Sequence, residues 1–172
     1  MQATVSARRT VRVPFARLAV VAMVVITVLG VAAPWRSLSA QAVDGAKVYA
    51  ATCLACHQAS GLGLVGQFPP LAGSEWVIGR EDRLVLVMLH GISGEIEVEG
   101  ETYNGAMPPW GATLSNDEIA AVATYVRRRW GNNAAPVTIA TVARLRTAHA
   151  ARSTPWTASA LQQQLPPVKP SP

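Results

Sequence analysis

Apolar positions recur along this chain in three rhythms, and each predicts a different element. The first is continuous: residues 18–33 are apolar except for Thr27 and Gly30. The second has helical spacing. Ile119, Val122, Val126 and Trp130 form a stripe with Tyr125 beside it, the one-faced pattern of an amphipathic helix. Ser115 and Glu118 precede the stripe in the spacing of a capping box, and Gly131 ends it, which predicts a helix over 115–130. Residues 81–90 read as another helix that stops at Gly91, a natural residue after a helix end. A further helix spans 138–148, with Ile139, Val142 and Leu145 inward. Asp44 is placed to cap a first helix, and Ser74 with Glu75 to start a short one. The third rhythm alternates. Ile96 and Val98 are flanked by glutamates within 95–103, which predicts a small hairpin turning near Gly100. Phe68-Pro69-Pro70-Leu71 reads as extended or turned, because a residue before proline avoids the helical region.

The continuous run belongs to a leader. Arg8, Arg9, Arg12 and Arg17 form a basic start, and Ala40-Gln41-Ala42 has the small-residue pattern of a cleavage site. The apolar run is a little short of the roughly 20 residues that span a bilayer. Two readings of residues 1–42 therefore stand: a cleaved signal peptide, or an uncleaved anchor holding the chain to the inner membrane through residues 18–33. Both place the rest outside the cytoplasm, in the periplasm. The net charge of +5 then loses its apparent meaning. After Ala42 the two signs balance, so the excess lies in the leader and a nucleic-acid partner has no support. Residues 43–150 make one small domain. Residues 151–172, rich in Ser, Pro and Gln, read as a disordered tail.

The chemistry centres on Cys53-Leu54-Ala55-Cys56-His57, a C-x-x-C-H run holding both of the chain's cysteines. This is the attachment signature of a c-type haem. Two thiols three apart reach the vinyl groups on one porphyrin edge, and the next residue sets an imidazole where it can ligate iron. A redox disulfide fits poorly, because that motif belongs near a βαβ pattern. A zinc site needs four ligands, and His90 and His149 lack the paired spacing.

A second axial position then needs a ligand. Met1 and Met23 lie in the leader, and Met88 sits in the apolar run 84–89, where core packing is the plain expectation. Met107 lies in Tyr103-Asn104-Gly105-Ala106-Met107-Pro108-Pro109-Trp110, which reads as a glycine- and proline-rich loop just before the capped helix. It fills no amphipathic stripe, and the two prolines stiffen the chain after it. We read Met107 as the candidate thioether ligand, against packing on an aromatic ring. A soft thioether favours Fe(II) and raises the reduction potential. With both axial positions filled, the iron relays electrons and binds small molecules poorly.

The stretch 43–130 resembles a class I monohaem c-type cytochrome, with its elements in the family's order. The resemblance implies an all-α, cytochrome c-like fold around one covalent haem c, here with a small β-hairpin added. It implies thioether links from Cys53 and Cys56, with His57 as proximal and Met107 as distal iron ligand. It implies that a proline carbonyl accepts the hydrogen bond of the ligand imidazole, which falls on Pro69, with Pro70 adjacent. It also implies close packing of the first and last helices through Gly45 and Tyr49 against Val122 and Tyr125. The segments 68–74, 89–94, 103–110, 130–132 and 137–138 are similar to cytochrome c subunits of bacterial quinoprotein alcohol dehydrogenases and related periplasmic redox enzymes.

Other residues have open roles. Trp76, Arg80, Tyr103, Asn104 and Trp110 either bond the haem propionates or pack the pocket wall. His90 reads as a helix-end cap with a minor claim as rival ligand. Glu95, Glu97, Glu99 and Glu101 form a wet hairpin face or a docking patch for a basic partner. Arg127, Arg128 and Arg129 read as a solvated helix face. Leu62 to Val65 either borders the haem edge or packs in the core. The sequence thus describes a periplasmic one-electron carrier, not an enzyme, with a dehydrogenase or oxidase as its redox partner. The alternatives are a tightly bound subunit of such a complex and, if Met107 is off the iron, a peroxidase- or sensor-like protein.

Overall fold

The computed structural model describes residues 42–165. Residues 1–41, which hold nearly all of the leader, and residues 166–172 lie outside the described residues. Asp44 caps α1 (Gly45–Thr52), its carboxylate accepting from the amide of Ala46 at 2.9 Å. A bend at Cys53 leads into the single turn α2 (Leu54–His57). After an irregular stretch come α3 (Glu75–Ile78) and α4 (Glu81–His90). The hairpin β1 (Ile92–Val98) and β2 (Glu101–Met107) follows, then α5 (Asn116–Arg128) and α6 (Ile139–Ala148). A last helix, α7, covers Ala158–Gln164. The described residues are mostly helical with one two-stranded antiparallel sheet.

The core is built from α4, α5 and α6. In α4 every residue from Leu84 to Leu89 is buried, so it is enclosed all round. In α5 the capping box forms as its sequence predicts, and Ile119, Val122 and Val126 are inward. The helix α1 crosses α5 at Gly45, where a Cβ would lie 2.2 Å from the carbonyl oxygen of Ala121. Only a residue without a side chain permits that approach. The rings of Tyr49, Tyr125 and Trp130 then pack at steep angles to one another beside the crossing, with centroids 5.3 to 5.9 Å apart.

Three expectations need correction. The tail is not disordered through its length: residues 151–165 pack on the domain. The backbone of Trp156 bonds to Gly91 and Ser93 at 3.0 and 2.8 Å, and the side chains of Trp156 and Leu161 are buried. Two apolar anchors outweigh the Ser, Pro and Gln around them, because burying a large side chain contributes about 1.5–3 kcal/mol. Arg127 is not on a solvated face. It is buried, and its guanidinium donates to the carbonyls of Ala135 (2.7 Å), Gly79 (3.0 Å) and Val77; Arg128 and Arg129 are exposed. Met107 is not in a free loop: it is the last residue of β2, paired with Ile92.

The ordered tail makes a testable demand. Leu161→Ala is expected to lower unfolding stability by about 3 kcal/mol in a denaturant titration. A tail without structure would give no change.

Candidate haem site

The C-x-x-C-H run is shaped by local hydrogen bonds. The amide of Cys53 bonds the carbonyl of Tyr49 at 2.9 Å, and that of His57 bonds the Cys53 carbonyl at 3.0 Å. One turn thus brings Cys53, Cys56 and His57 to the rim of a cavity of about 420 Å³. No disulfide joins the two sulfurs, and both cysteines are half-buried. Burial pushes the Cys53 thiol above its ordinary pKa, with the Thr52 hydroxyl (3.3 Å) opposing.

His57 is buried, and its Nδ1 lies 3.0 Å from the carbonyl oxygen of Pro69. A carbonyl can only accept, so Nδ1 carries the proton and donates. Burial lowers the imidazole pKa, and the Pro69 bond partly opposes this. A neutral ring with its proton committed at Nδ1 keeps the Nε2 lone pair free for a metal. The partner of that bond is therefore Pro69. Pro70 lines the cavity beside it.

The position of the Pro69 carbonyl follows from three neighbours. Gly63, at φ +64, passes so close that a Cβ would sit 2.2 Å from the Phe68 oxygen and 2.7 Å from the Pro69 oxygen. Leu71 donates to Gly61 at 2.7 Å. The buried amide of Asn132 donates to Leu71 (2.9 Å) and Val126 (2.7 Å) and accepts from Gly73 (2.8 Å). Asn132 and Arg127 thus tie irregular chain to α5. Sequence reasoning noticed neither role, although Asn132 falls in the Trp-Gly-Asn segment that the resemblance picked out.

The opposite wall is one face of the hairpin. Ile92, Gly94, Ile96 and Val98 of β1, with Tyr103, Gly105 and Met107 of β2, all line the cavity. The hairpin is longer than the 95–103 read from sequence, because Gly94 pairs with Gly105 and interrupts the apolar alternation. A Cβ at Gly94 would meet nothing within 4 Å, and one at Gly105 only the Gln67 oxygen at 3.7 Å. The paired glycines leave a bare floor on which a flat ring can lie. Met88 also lines the cavity, from α4.

The remaining candidates divide. Tyr103, Asn104 and Trp110 line the cavity. Trp76 does too, but its indole N–H donates to the Glu97 carbonyl at 2.7 Å. Arg80 is ion-paired with Asp82 and is not among the lining residues. His90 is also outside the wall, its ring set against His149 and Trp156. The hairpin glutamates are exposed. Leu62, Leu64 and Val65 are 62%, 51% and 88% exposed, so that loop is surface and not core.

Two thiols, a neutral imidazole and a thioether around a mostly apolar cavity fit a c-type haem. Comparison with known proteins agrees. The family described as "Cytochrome C oxidase, cbb3-type, subunit III" matches residues 40–126. Cytochrome c-552 of Thermus thermophilus is 47% identical over 93 residues, 52% of this chain and 70% of that protein; a second cytochrome c-552 of the same species matches equally, over 62% of its length. The cytochrome c subunit of the quinone alcohol dehydrogenase of Gluconobacter oxydans is 37% identical over 112 residues, 64% of this chain but only 23% of the subunit. The cbb3-type oxidase subunit FixP of Sinorhizobium medicae is 31% identical over 83 residues, 48% of this chain and 28% of that subunit. The chain belongs to this cytochrome c family. It is an electron-transfer protein with one covalently attached haem c, and not itself a catalyst.

Gly63→Ala is expected to push the Pro69 carbonyl off His57 and to cost about 2 kcal/mol of stability. Hydrogen exchange of the His57 Nδ1 proton, followed by NMR, should quicken in parallel. An unchanged exchange rate would show that Gly63 does not position that carbonyl.

Proposed function

We propose that the chain is a periplasmic one-electron carrier whose iron is held by His57 and Met107. The observation that carries this is the shared cavity: Cys53, Cys56, His57 and Met107 all line it, and the His57 proton is already committed to Pro69. When bound, the haem supplies reversible one-electron chemistry at its iron. The protein's part is to fix and tune. Cys53 and Cys56 anchor one edge of the ring covalently. The Pro69 carbonyl orients His57 and makes it a stronger donor. Met107, which lines the cavity, would hold the iron as a second ligand, and a soft thioether there would favour the reduced state. The apolar walls exclude water, which lowers the local dielectric and limits reorganisation when charge changes.

The partner is a redox protein. The exposed aliphatics Leu62, Leu64 and Val65 adjoin Gly66, Gln67 and Phe68, which line the cavity, so a partner seated on this loop lies close to the haem. The same patch supports the second reading, a permanent subunit of a dehydrogenase or oxidase complex, as in the relatives named as subunits. Native purification separates the two: a free carrier elutes alone, and a subunit brings a catalytic chain with it. The basic start and apolar run of residues 8–33 support export, either as a signal peptide or as a retained anchor. Among the described residues no helix is long and apolar enough to cross a membrane.

Met107→Ala is expected to abolish the weak red absorption band of sulfur-ligated Fe(III), to lower the reduction potential, and to admit cyanide or carbon monoxide. Unchanged spectra and potential in that variant would refute the ligand assignment.

A further inference from the structure

We infer that Arg146 is a positioning residue for Met107, holding the chain beyond the thioether so that the sulfur stays on the iron. The inference rests on Met107 being the sulfur ligand. Arg146 projects from α6 and spans three acceptors in the segment that follows Met107. Its Nε donates to Asn116 Oδ1 at 2.7 Å, one terminal nitrogen to the Leu114 carbonyl at 2.8 Å, and the other to the carbonyl of Gly111. The same segment is fastened on its other side by α4, where the amides of Trp110 and Gly111 donate to Met88 (2.8 Å) and Leu89 (3.1 Å).

Pro108 and Pro109 have no N–H and cannot be tied down by backbone donation. The restraint on Met107 therefore comes from β2 before it and from residues 110–116 after it. Arg146 grips that second anchor. Its base is anchored: Thr138 caps α6, its hydroxyl accepting from the Thr141 amide at 3.0 Å, and Leu145, next to Arg146 in the chain, is buried. Bonds from a guanidinium are charge-assisted and stronger than neutral ones. The planar fork serves three divergent acceptors, a geometry that a lysine ammonium does not reproduce.

This matters most in the oxidised state. A thioether is a soft ligand and suits Fe(II) better than Fe(III). Its hold on Fe(III) then depends on how much free energy it takes to swing the loop away. Fastening residues 110–116 between α4 and α6 raises that cost, so Arg146 disfavours replacement of Met107 by outside ligands.

The test is cyanide binding to the oxidised, haem-loaded full chain, comparing Arg146→Ala, Arg146→Lys and Val142→Ala. Arg146→Ala should bind cyanide about tenfold more tightly than wild type, and Arg146→Lys about threefold. Val142→Ala removes buried volume from the same helix but none of the Arg146 bonds to residues 111–116. It should lower the melting temperature yet leave cyanide affinity within about twofold of wild type. Should Arg146→Ala fail to fold, the lysine variant carries the test. Wild-type affinity in the Arg146 variants would overturn the inference, as would an equal rise in Val142→Ala. A wild-type protein lacking the sulfur–iron band would instead overturn the Met107 assignment beneath it.

Discussion

The hydrogen bond from His57 Nδ1 to the Pro69 carbonyl is the constraint on which the site depends. A buried imidazole has two nitrogens and, when neutral, one proton. Burial favours that neutral form, and Pro69 decides which nitrogen keeps the proton. The other nitrogen is thereby left as a donor toward the metal. The bond requires a carbonyl held still in a stretch with no regular structure. Gly63 sets it by close approach, and Asn132 links the following residues to the end of α5. The crossing of α1 on α5 at Gly45 joins the C-x-x-C-H turn to the same helix. Much of the fold thus serves to hold one ring and one carbonyl in register.

The two sides of the cavity use different materials. On the His57 side a short helical turn is fixed by backbone bonds close in sequence. On the Met107 side a hairpin supplies a flat face, with Gly94 opposite Gly105. The strand pairing of Met107 with Ile92, and of Ile92 with Trp156, carries the C-terminal segment into the same layer. Residues 151–165 therefore buttress the sheet that presents the thioether.

What the sequence made legible was local. The C-x-x-C-H spacing, the Ser115–Glu118 capping box and the stop at Gly91 each depend on residues within one or two turns. The Pro69 bond was legible only through resemblance, since nothing in a proline marks its carbonyl as an acceptor. Long-range ties were hidden. Arg127 reads as a surface cation until the carbonyls of Val77, Gly79 and Ala135 are brought around it. Trp156 and Leu161 are too widely spaced in a polar tail to form a periodic signal, and Gly94 and Gly105 masked the length of the hairpin.

In the proposed arrangement His57 and Met107, and not Met88, face each other across the porphyrin. Methionines labelled with ¹³C in the ε-methyl group test it in the reduced protein, because a methyl held over the ring face is shifted far upfield by the ring current. One such resonance is expected, retained in Met88→Leu and missing in Met107→Leu. All methyls at ordinary shifts, or a shifted one that vanishes with Met88, would rule the arrangement out.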